Sequence, residues 1–526
     1  MAKLPVLLST PSRNEPETTD SVVLAVYAPF GSDAELSKYP NASQRPIAQQ
    51  EIVNSLRQVA AQGVHVCALV DLVNDHSWWV QIPAKQPAKA SIVSVWKQDM
   101  SHPMALAGFL AHVQRCHPCA DIVLALEGHG AGYLPDIDGA KLTLDNITRN
   151  GNFIWHKSKD NTSVTPKQSP PLGMVSPELG MVSPELPATR MPMSTLGLAR
   201  ALRTAIQEGA RKPAVIHFNN CFNLSVELLH TIAPYADFAT AYANYNFFTA
   251  GAAYAKVFGN LRAQGSATRA ELARWFAETN RDALEAKGRH PTMGGAIRLA
   301  EMRKLAALID ALAGELVAAM ATAAPADRPG VVATIQSAIV QAQQYDTQAD
   351  YILEVPDQLT DIRAFAAALT TRSFKTLVAT AAANLEKALS GVRVYGSADN
   401  PHPRPSEFWD FKKPPLAMNI LLPDPARQGL WDWRSPYYLR ARFDPSLPDA
   451  QTGQIDFLKT NRWVDFIHDY HLNIDFVGLL PALPPVYPLF LRKLDPNGGA
   501  TTGTTTPGNP TGGPGTTGRP GTTVKR

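Results

Sequence analysis

Two residues able to do chemistry stand at the ends of apolar runs. His129 follows Val123-Leu124-Ala125-Leu126-Glu127-Gly128, and Cys221 follows Ala214-Val215-Ile216-His217-Phe218-Asn219-Asn220. Apolar runs this short, closed by turn residues, read as buried strands. In an α/β domain, groups just past the carboxyl ends of parallel strands meet the ligand. A cysteine and a histidine placed there can form a nucleophile–base pair. A free thiol has a pKa of about 8.5, so it needs an imidazole or a helix N-terminus to ionise near neutral pH. Cys221 precedes a predicted helix carrying Leu224, Leu228 and Ile232. N–H groups at the start of that helix are expected to face the sulfur.

Other reactive residues carry weaker patterns. Cys116-His117-Pro118-Cys119 has the spacing of a redox pair, but it closes a helix instead of opening one, and no second ligand pair supports zinc. His217 lies inside a strand and reads as a core or paired histidine. Trp78-Trp79 reads as packing. Asp136-Ile137-Asp138-Gly139 offers two carboxylates, too few for a Ca²⁺ site. No metal site and no cofactor are expected; Ca²⁺ at 136–139 is the one cofactor alternative.

The elements that must position His129 and Cys221 alternate along the chain. Val22–Tyr27 is a strand. A helix follows with Ile52, Leu56 and Val59 on one face and Gly63 as its stop, then the strand Val64–Val70. Trp78–Ile82 and Ser91–Trp96 form a hairpin-like region. Ser101 is predicted to cap a helix with Pro103 in its first turn and a stripe of Leu106, Phe109, Leu110 and Val113. The His129 strand comes next. Ser194 caps a helix lined by Leu198, Leu202 and Ile206, then come the Cys221 strand, its helix, and a strand at Phe238–Tyr242. This order is that of right-handed crossovers in a parallel sheet. Residues 252–390 read as mostly helical. Two further strands are expected at Val392–Tyr395 and Leu416–Leu422, and a final helix around Trp463–Tyr470.

Two stretches break the pattern. Residues 140–193 are polar and contain an exact tandem repeat, Gly-Met-Val-Ser-Pro-Glu-Leu at 173–179 and at 180–186. A proline in each copy rules out a coiled-coil heptad, so the segment reads as an unconstrained loop. From Pro496 the chain is Gly, Thr, Pro and Asn almost without hydrophobics, a composition that cannot offset its ordering entropy. The expected units are a flexible 1–20, a core over 21–260 with the insert 140–193, a helical and mixed region over 261–494 packed on the core, and a disordered tail over 495–526.

The chain has 526 residues, 45% of them hydrophobic and 18% charged, with a formal net charge of +3. That charge is small for the length and argues against nucleic acid or an anionic membrane as partner. The four cysteines are too few for a disulfide framework. No apolar run of about 18 residues suggests a membrane span. The N-terminal apolar run is too short for a signal peptide, so a cytoplasmic location is expected. Oligomeric state is not readable from these features.

Taken in order, these stretches resemble the clostripain family of cysteine peptidases, in the caspase-like group. The resemblance spans roughly residues 20–475. It rests on Tyr27-Ala28-Pro29-Phe30-Gly31-Ser32-Asp33, the Asp99–Phe109 segment, His129-Gly130 for the family's His-Gly, and Asn219-Asn220-Cys221 for its Asp-x-Cys. Glu227, Gly251 and Tyr254 of Gly-x-x-Tyr, Met418–Pro423 and Trp463–Tyr470 complete the set. The resemblance implies a caspase-like α/β sandwich on a mostly parallel sheet, followed by a helical and mixed C-terminal region. It implies a peptide or protein substrate, attack by Cys221, proton transfer by His129, and an oxyanion held by the backbone N–H groups of Gly130 and Cys221. It also implies self-cleavage within the insert, where Lys157, Lys159, Lys167 and Arg190 are candidate sites.

The chain departs from the family at Asn219, where an Asp is usual, and at Phe248-Thr249-Ala250-Gly251, which lacks the carboxylate that holds a basic substrate side chain. A neutral pocket has no ion pair for a guanidinium. Strict Arg specificity is therefore expected to be lost or relocated, with Asn219, Asn244, Asn246 and Thr249 as candidate pocket residues. Two alternatives stand beside the peptidase. One is a catalytically silent relative that binds or regulates. The other is a thiol–disulfide protein using Cys116 and Cys119.

Overall fold

A computed structural model of the chain describes residues 18–19, 21–31, 51–72, 76–96, 100, 102–128, 130, 132–134, 193–244, 246, 253–287, 291–345, 359–372, 375–397, 411–412, 415–422 and 455–476. The first strand, β1 (Val22–Gly31), shows how the sheet is built. Val23, Ala25 and Tyr27 enter one hydrophobic cluster, and Val22, Leu24, Val26 and Ala28 enter another. Side chains alternate across a strand, so a continuous apolar run means burial on both faces.

Eight further strands join it: β2 (His65–Leu72), β3 (His76–Ile82), β4 (Ser91–Trp96), β5 (Asp121–Glu127), β6 (Val215–Asn219), β7 (Phe238–Tyr242), β8 (Met293–Arg298) and, further along the chain, β11 (Arg393–Gly396). The sheet order is β11-β8-β7-β6-β5-β1-β2-β3-β4. The five central strands, β7 to β2, are parallel. Antiparallel pairs β8–β11 and β3–β4 flank them.

Helices cover both faces. α1 (Glu51–Ala61), α5 (Tyr254–Gln264) and α6 (Arg269–Lys287) lie on one side. α2 (Pro103–Cys116), α3 (Thr195–Gln207) and α4 (Val226–Ile232) lie on the other. The expected α/β sandwich on a mostly parallel sheet is the fold observed. Arg269 clamps one end of it, with Nε and Nη2 on the Asp121 carboxylate at 3.2 and 3.0 Å and Nη1 on Asp237.

The later helices α7 (Met302–Thr322), α8 (Arg328–Gln341), α9 (Ile362–Thr371), α10 (Thr376–Leu389), α11 (Asp456–Thr460) and α12 (Trp463–Phe476) extend the cluster on the α2–α4 side. Helix α7 is long and apolar enough to cross a bilayer by length and composition. Its buried stripe of Leu305, Ile309, Leu312 and Leu316 packs against α10 and α12. Three short strands, β9 (Gln344–Tyr345), β10 (Leu359–Asp361) and β12 (Asn419–Leu421), form a small antiparallel sheet beside these helices.

Local expectations needed three corrections. The cap of α2 is His102, whose Nδ1 accepts from Met104 N at 3.2 Å, not Ser101. The stretch read as mostly helical contains β8, a strand of the central sheet. The strand expected at Leu416–Leu422 is only Asn419–Leu421 and belongs to the small sheet. Ser194 does cap α3, accepting from Gly197 N at 2.9 Å. The insert from 140 to 192, the repeat, the pair Asp136 and Asp138, and the tail lie outside the described residues.

Asp361 caps α9 from a fully buried position. Its Oδ1 accepts from Arg363 N and Ala364 N at 3.0 and 2.9 Å, and Oδ2 from Ala417 N and Tyr345 OH at 2.8 and 2.9 Å. Burial nevertheless pushes its pKa up to about 6. The folded chain thus holds this proton more tightly than an unfolded one, where an Asp titrates near about 3.9. The carboxyl's stabilising contribution is full below that value and is lost as pH rises through about 6. Asp361→Asn removes the titration and turns an NH₂ toward one of the backbone donors, at a cost of about 1–3 kcal/mol. Chemical unfolding between pH 4 and 7 should show the wild-type advantage narrowing as pH rises.

Candidate active site

Parallel pairing of β5 with β6 puts Glu127 opposite Asn219. Both strands therefore release their next residues at one edge of the sheet. After Glu127 the chain turns at Gly128 (φ 112°), a left-handed conformation suited to glycine. His129 itself lies outside the described residues. One residue on, Gly130 sits directly on the Cys221 backbone. A Cβ built there would lie 2.0 Å from Cys221 O and 2.9 Å from Cys221 N. Gly132 continues the seam, donating its N–H to Asn223 Oδ1 at 3.2 Å.

The turn after Cys221 is strained and braced. Phe222 is buried with φ 61°, a left-handed conformation that costs a bulky residue about 1–2 kcal/mol. Asn419 of β12 holds it: Nδ2 donates to Phe222 O at 2.8 Å and to Ala243 O at 2.9 Å, while Asn419 N donates to Leu224 O at 2.9 Å. Glu227 braces the same region from α4, accepting from Ser225 OH at 2.7 Å and Leu421 N at 2.9 Å.

The expected helix N-terminus does not reach the sulfur. Helix α4 begins at Val226, after a five-residue turn from Cys221. The donor is instead the backbone of Asn246, whose N lies 3.3 Å from Cys221 Sγ, while the thiol points to Asn246 O at 3.7 Å. Cys221 is partly exposed. Its sulfur is desolvated nonetheless, and burial pushes the thiol up to about 12 against the smaller opposing effect of the Asn246 N–H.

A buried polar chain runs from Asn246 into the core. Asn246 Nδ2 donates to Asn219 Oδ1 at 2.8 Å, Asn219 Nδ2 donates to Glu127 Oε2 at 2.7 Å, and Tyr254 OH donates to Glu127 Oε1 at 2.5 Å. Burial first, then the Glu127 charge, hold the Tyr254 phenol well above its ordinary pKa, so it stays a donor. Glu127 closes the apolar run Val123–Leu126 and carries no expected role in the sequence. A carboxylate as the last residue of a buried strand, two positions before the histidine, was the signal available.

Among the predicted pocket residues, Asn219 and Asn246 are brought together beside Cys221. Asn244 is a brace: Nδ2 donates to Pro291 O at 2.9 Å and Oδ1 accepts from Met293 N at 2.8 Å, in a side chain 1% exposed. Thr249 and Gly251 lie outside the described residues. His217 is fully buried, with Nδ1 2.6 Å from Thr240 Oγ1 and Nε2 3.2 Å from Asn280 Nδ2, and desolvation lowers its pKa to about 3. It is a neutral core histidine, as its place in the strand suggested.

The other cysteines gather at the α2 C-terminus and the start of β2. Cys67 Sγ lies 3.6 Å from His117 Nε2, and Gln81 Nε2 approaches Cys116 Sγ at 3.8 Å. Burial, and secondarily Cys116, push the Cys67 thiol up to about 12. All four cysteines are free. Among the described residues no group of three or more His, Cys, Asp and Glu can hold a metal ion.

A sequence model of the clostripain family of peptidases matches residues 192–468. No curated protein matches the chain. Similar solved structures include an inactive zymogen of a C11 protease from Parabacteroides distasonis, 13% identical, covering 78% of this chain and 94% of its own, with a TM-score of 0.47. A secreted C11 cysteine protease from Bacteroides thetaiotaomicron, bound to an irreversible peptide inhibitor, is 12% identical over 76% of this chain and 92% of its own, with a TM-score of 0.46.

Two outcomes follow from this geometry. Gly130→Ala drives a methyl into the Cys221 carbonyl, and backbone cannot rotate away as a side chain can; the expected cost is about 1–3 kcal/mol, read as a lowered midpoint in thermal unfolding. In a timed iodoacetamide reaction at pH 8, peptide mass spectrometry should find the exposed Cys116 and Cys119 modified before Cys67 and Cys221.

Proposed function

The chain belongs to the clostripain family of peptidases, and from that premise we propose that it is a cysteine endopeptidase with Cys221 as nucleophile and His129 as its base. The observation that carries this reading is the seam between Gly130 and the Cys221 backbone at the ends of adjacent parallel strands. Through it the residue after the histidine touches the nucleophile.

In this reading the neutral thiol passes its proton to the imidazole as sulfur attacks the scissile carbonyl carbon. The carbonyl oxygen takes up the charge, and the backbone N–H groups of Gly130 and Cys221 receive it. The imidazolium then protonates the leaving amine as the C–N bond breaks, leaving a thioester on Cys221. Water, losing its proton to the imidazole, hydrolyses that thioester and restores the thiol. Glu127 is a buried carboxylate near the pocket, but its oxygens accept from Asn219 and Tyr254. The pocket formed by Asn219 and Asn246, with Thr249, is then neutral and does not favour arginine. Self-processing falls in the insert between the two catalytic strands.

The second reading, a silent relative that binds peptides without cutting them, is favoured by the desolvated setting of the Cys221 sulfur, held between the backbone N and O of Asn246. Cys221→Ala separates the two. In the peptidase it lowers peptide cleavage by roughly 10⁴-fold or more and stops self-processing, with folding intact. A peptide-library profile of the wild type should lack a dominant basic preference. A chain that cleaves no library peptide, and whose Cys221 resists peptidyl electrophiles, is the silent relative.

A further inference from the structure

Position 219, two residues before the nucleophile, is an amide, and its chemistry is decided by its neighbour. Glu127 Oε2 lies 2.7 Å from Asn219 Nδ2. A carboxylate only accepts, so Asn219 must turn its NH₂ toward Glu127. That leaves Asn219 Oδ1 for Asn246 Nδ2, at 2.8 Å. Asn246 in turn places its backbone N and O on the Cys221 sulfur. The orientation of two amide side chains thus follows from one buried carboxylate, and the backbone of the second amide contacts the thiol. Glu127 is 4%, Asn219 4% and Asn246 9% exposed, so water competes little for these bonds. The register that makes Glu127 and Asn219 partners also penalises a second carboxyl at 219, because two carboxylates this close cannot both ionise without cost.

We propose that Glu127 is a positioning residue: it locks the Asn219 amide, keeps the pocket floor neutral, and through Asn246 holds the resting thiol. The proposal rests on the peptidase reading above for its consequence at the pocket, but the lock itself is independent of turnover. The charge in this chain lies one strand behind the pocket instead of in it. Moving it forward should change what the pocket accepts.

The test is an exchange of charge in the full-length protein. Asn219→Asp sets two carboxyls side by side. It should lower the thermal midpoint by about 3 °C or more at pH 7 and much less at pH 4, where one carboxyl is protonated. Asn219→Asp with Glu127→Gln returns a single carboxylate and should recover more than half of that loss. Glu127→Gln alone keeps the bonds to Asn219 and Tyr254, with its Oε1 accepting from Asn219 and its Nε2 donating to the Tyr254 oxygen, so it should lower the midpoint less than Asn219→Asp does. In a peptide library, the double variant should gain at least about tenfold in cleavage after Arg or Lys relative to wild type, since the charge then lies on the segment that carries Cys221.

An Asn219→Asp midpoint equal to wild type at pH 7, or no rescue by Glu127→Gln, overturns the lock whatever the activity. An unchanged cleavage profile in an active double variant overturns the role at the pocket. Rescue of stability in a chain that cleaves no peptide and whose Cys221 resists peptidyl electrophiles overturns the peptidase reading and leaves the lock standing.

Discussion

The pairing of Asp121–Glu127 with Val215–Asn219 governs the rest of the molecule. These strands are parallel neighbours in the middle of the sheet, so the segments beyond them leave side by side. Gly130 then closes on the Cys221 backbone with no room for a side chain. A register shift of one residue would turn Glu127 and Asn219 to opposite faces and separate the two turns. Both faces of these strands are buried, so a slip would force both layers to repack. Packing in the core thereby becomes accuracy at the edge.

The helical C-terminal region is tied to this edge and not merely attached beside it. Asn419 and Leu421 lie nearly two hundred residues beyond Cys221. Yet Asn419 bonds Phe222 O and Ala243 O, and Leu421 N bonds Glu227. A left-handed residue such as Phe222 persists only where its surroundings over-determine it. Asp361, bonded to Tyr345 and to Ala417 N, anchors the strand that carries Asn419. Damage to the small sheet should therefore be felt first at the turn that presents Cys221.

Much of the frame was legible because its signals are local. Continuous apolar runs announced the central strands, and Ser194 announced its helix. Strand β8 was hidden because Met293-Gly294-Gly295-Ala296 carries no β-branched residue. Its glycines answer to tertiary packing: a Cβ on Gly295 would meet Leu224 at 2.7 Å, and one on Gly294 would meet Tyr242 at 3.1 Å. The helix dipole offered to Cys221 failed for a similar reason. The turn at Phe222 takes up the residues that a helix starting at the sulfur would have needed, and the N–H donor comes from Asn246, far along the chain. Asn244 was read as a pocket amide; only its partners, Pro291 and Met293, reveal it as a brace.

The state of the sulfur links the scaffold to the chemistry. Burial of the Cys221 sulfur raises the cost of ionising it in advance. One backbone N–H at 3.3 Å does not offset the desolvation. In the peptidase reading, such a sulfur gains reactivity as its proton passes to the base during attack. That requirement puts the burden on a base beside the sulfur and on donors for the developing oxyanion. In the peptidase reading those are His129 and the backbone at Gly130 and Cys221, the two turns that the parallel strands bring together. A buried carboxylate one strand behind them orders the amides around the thiol without adding a negative charge beside it.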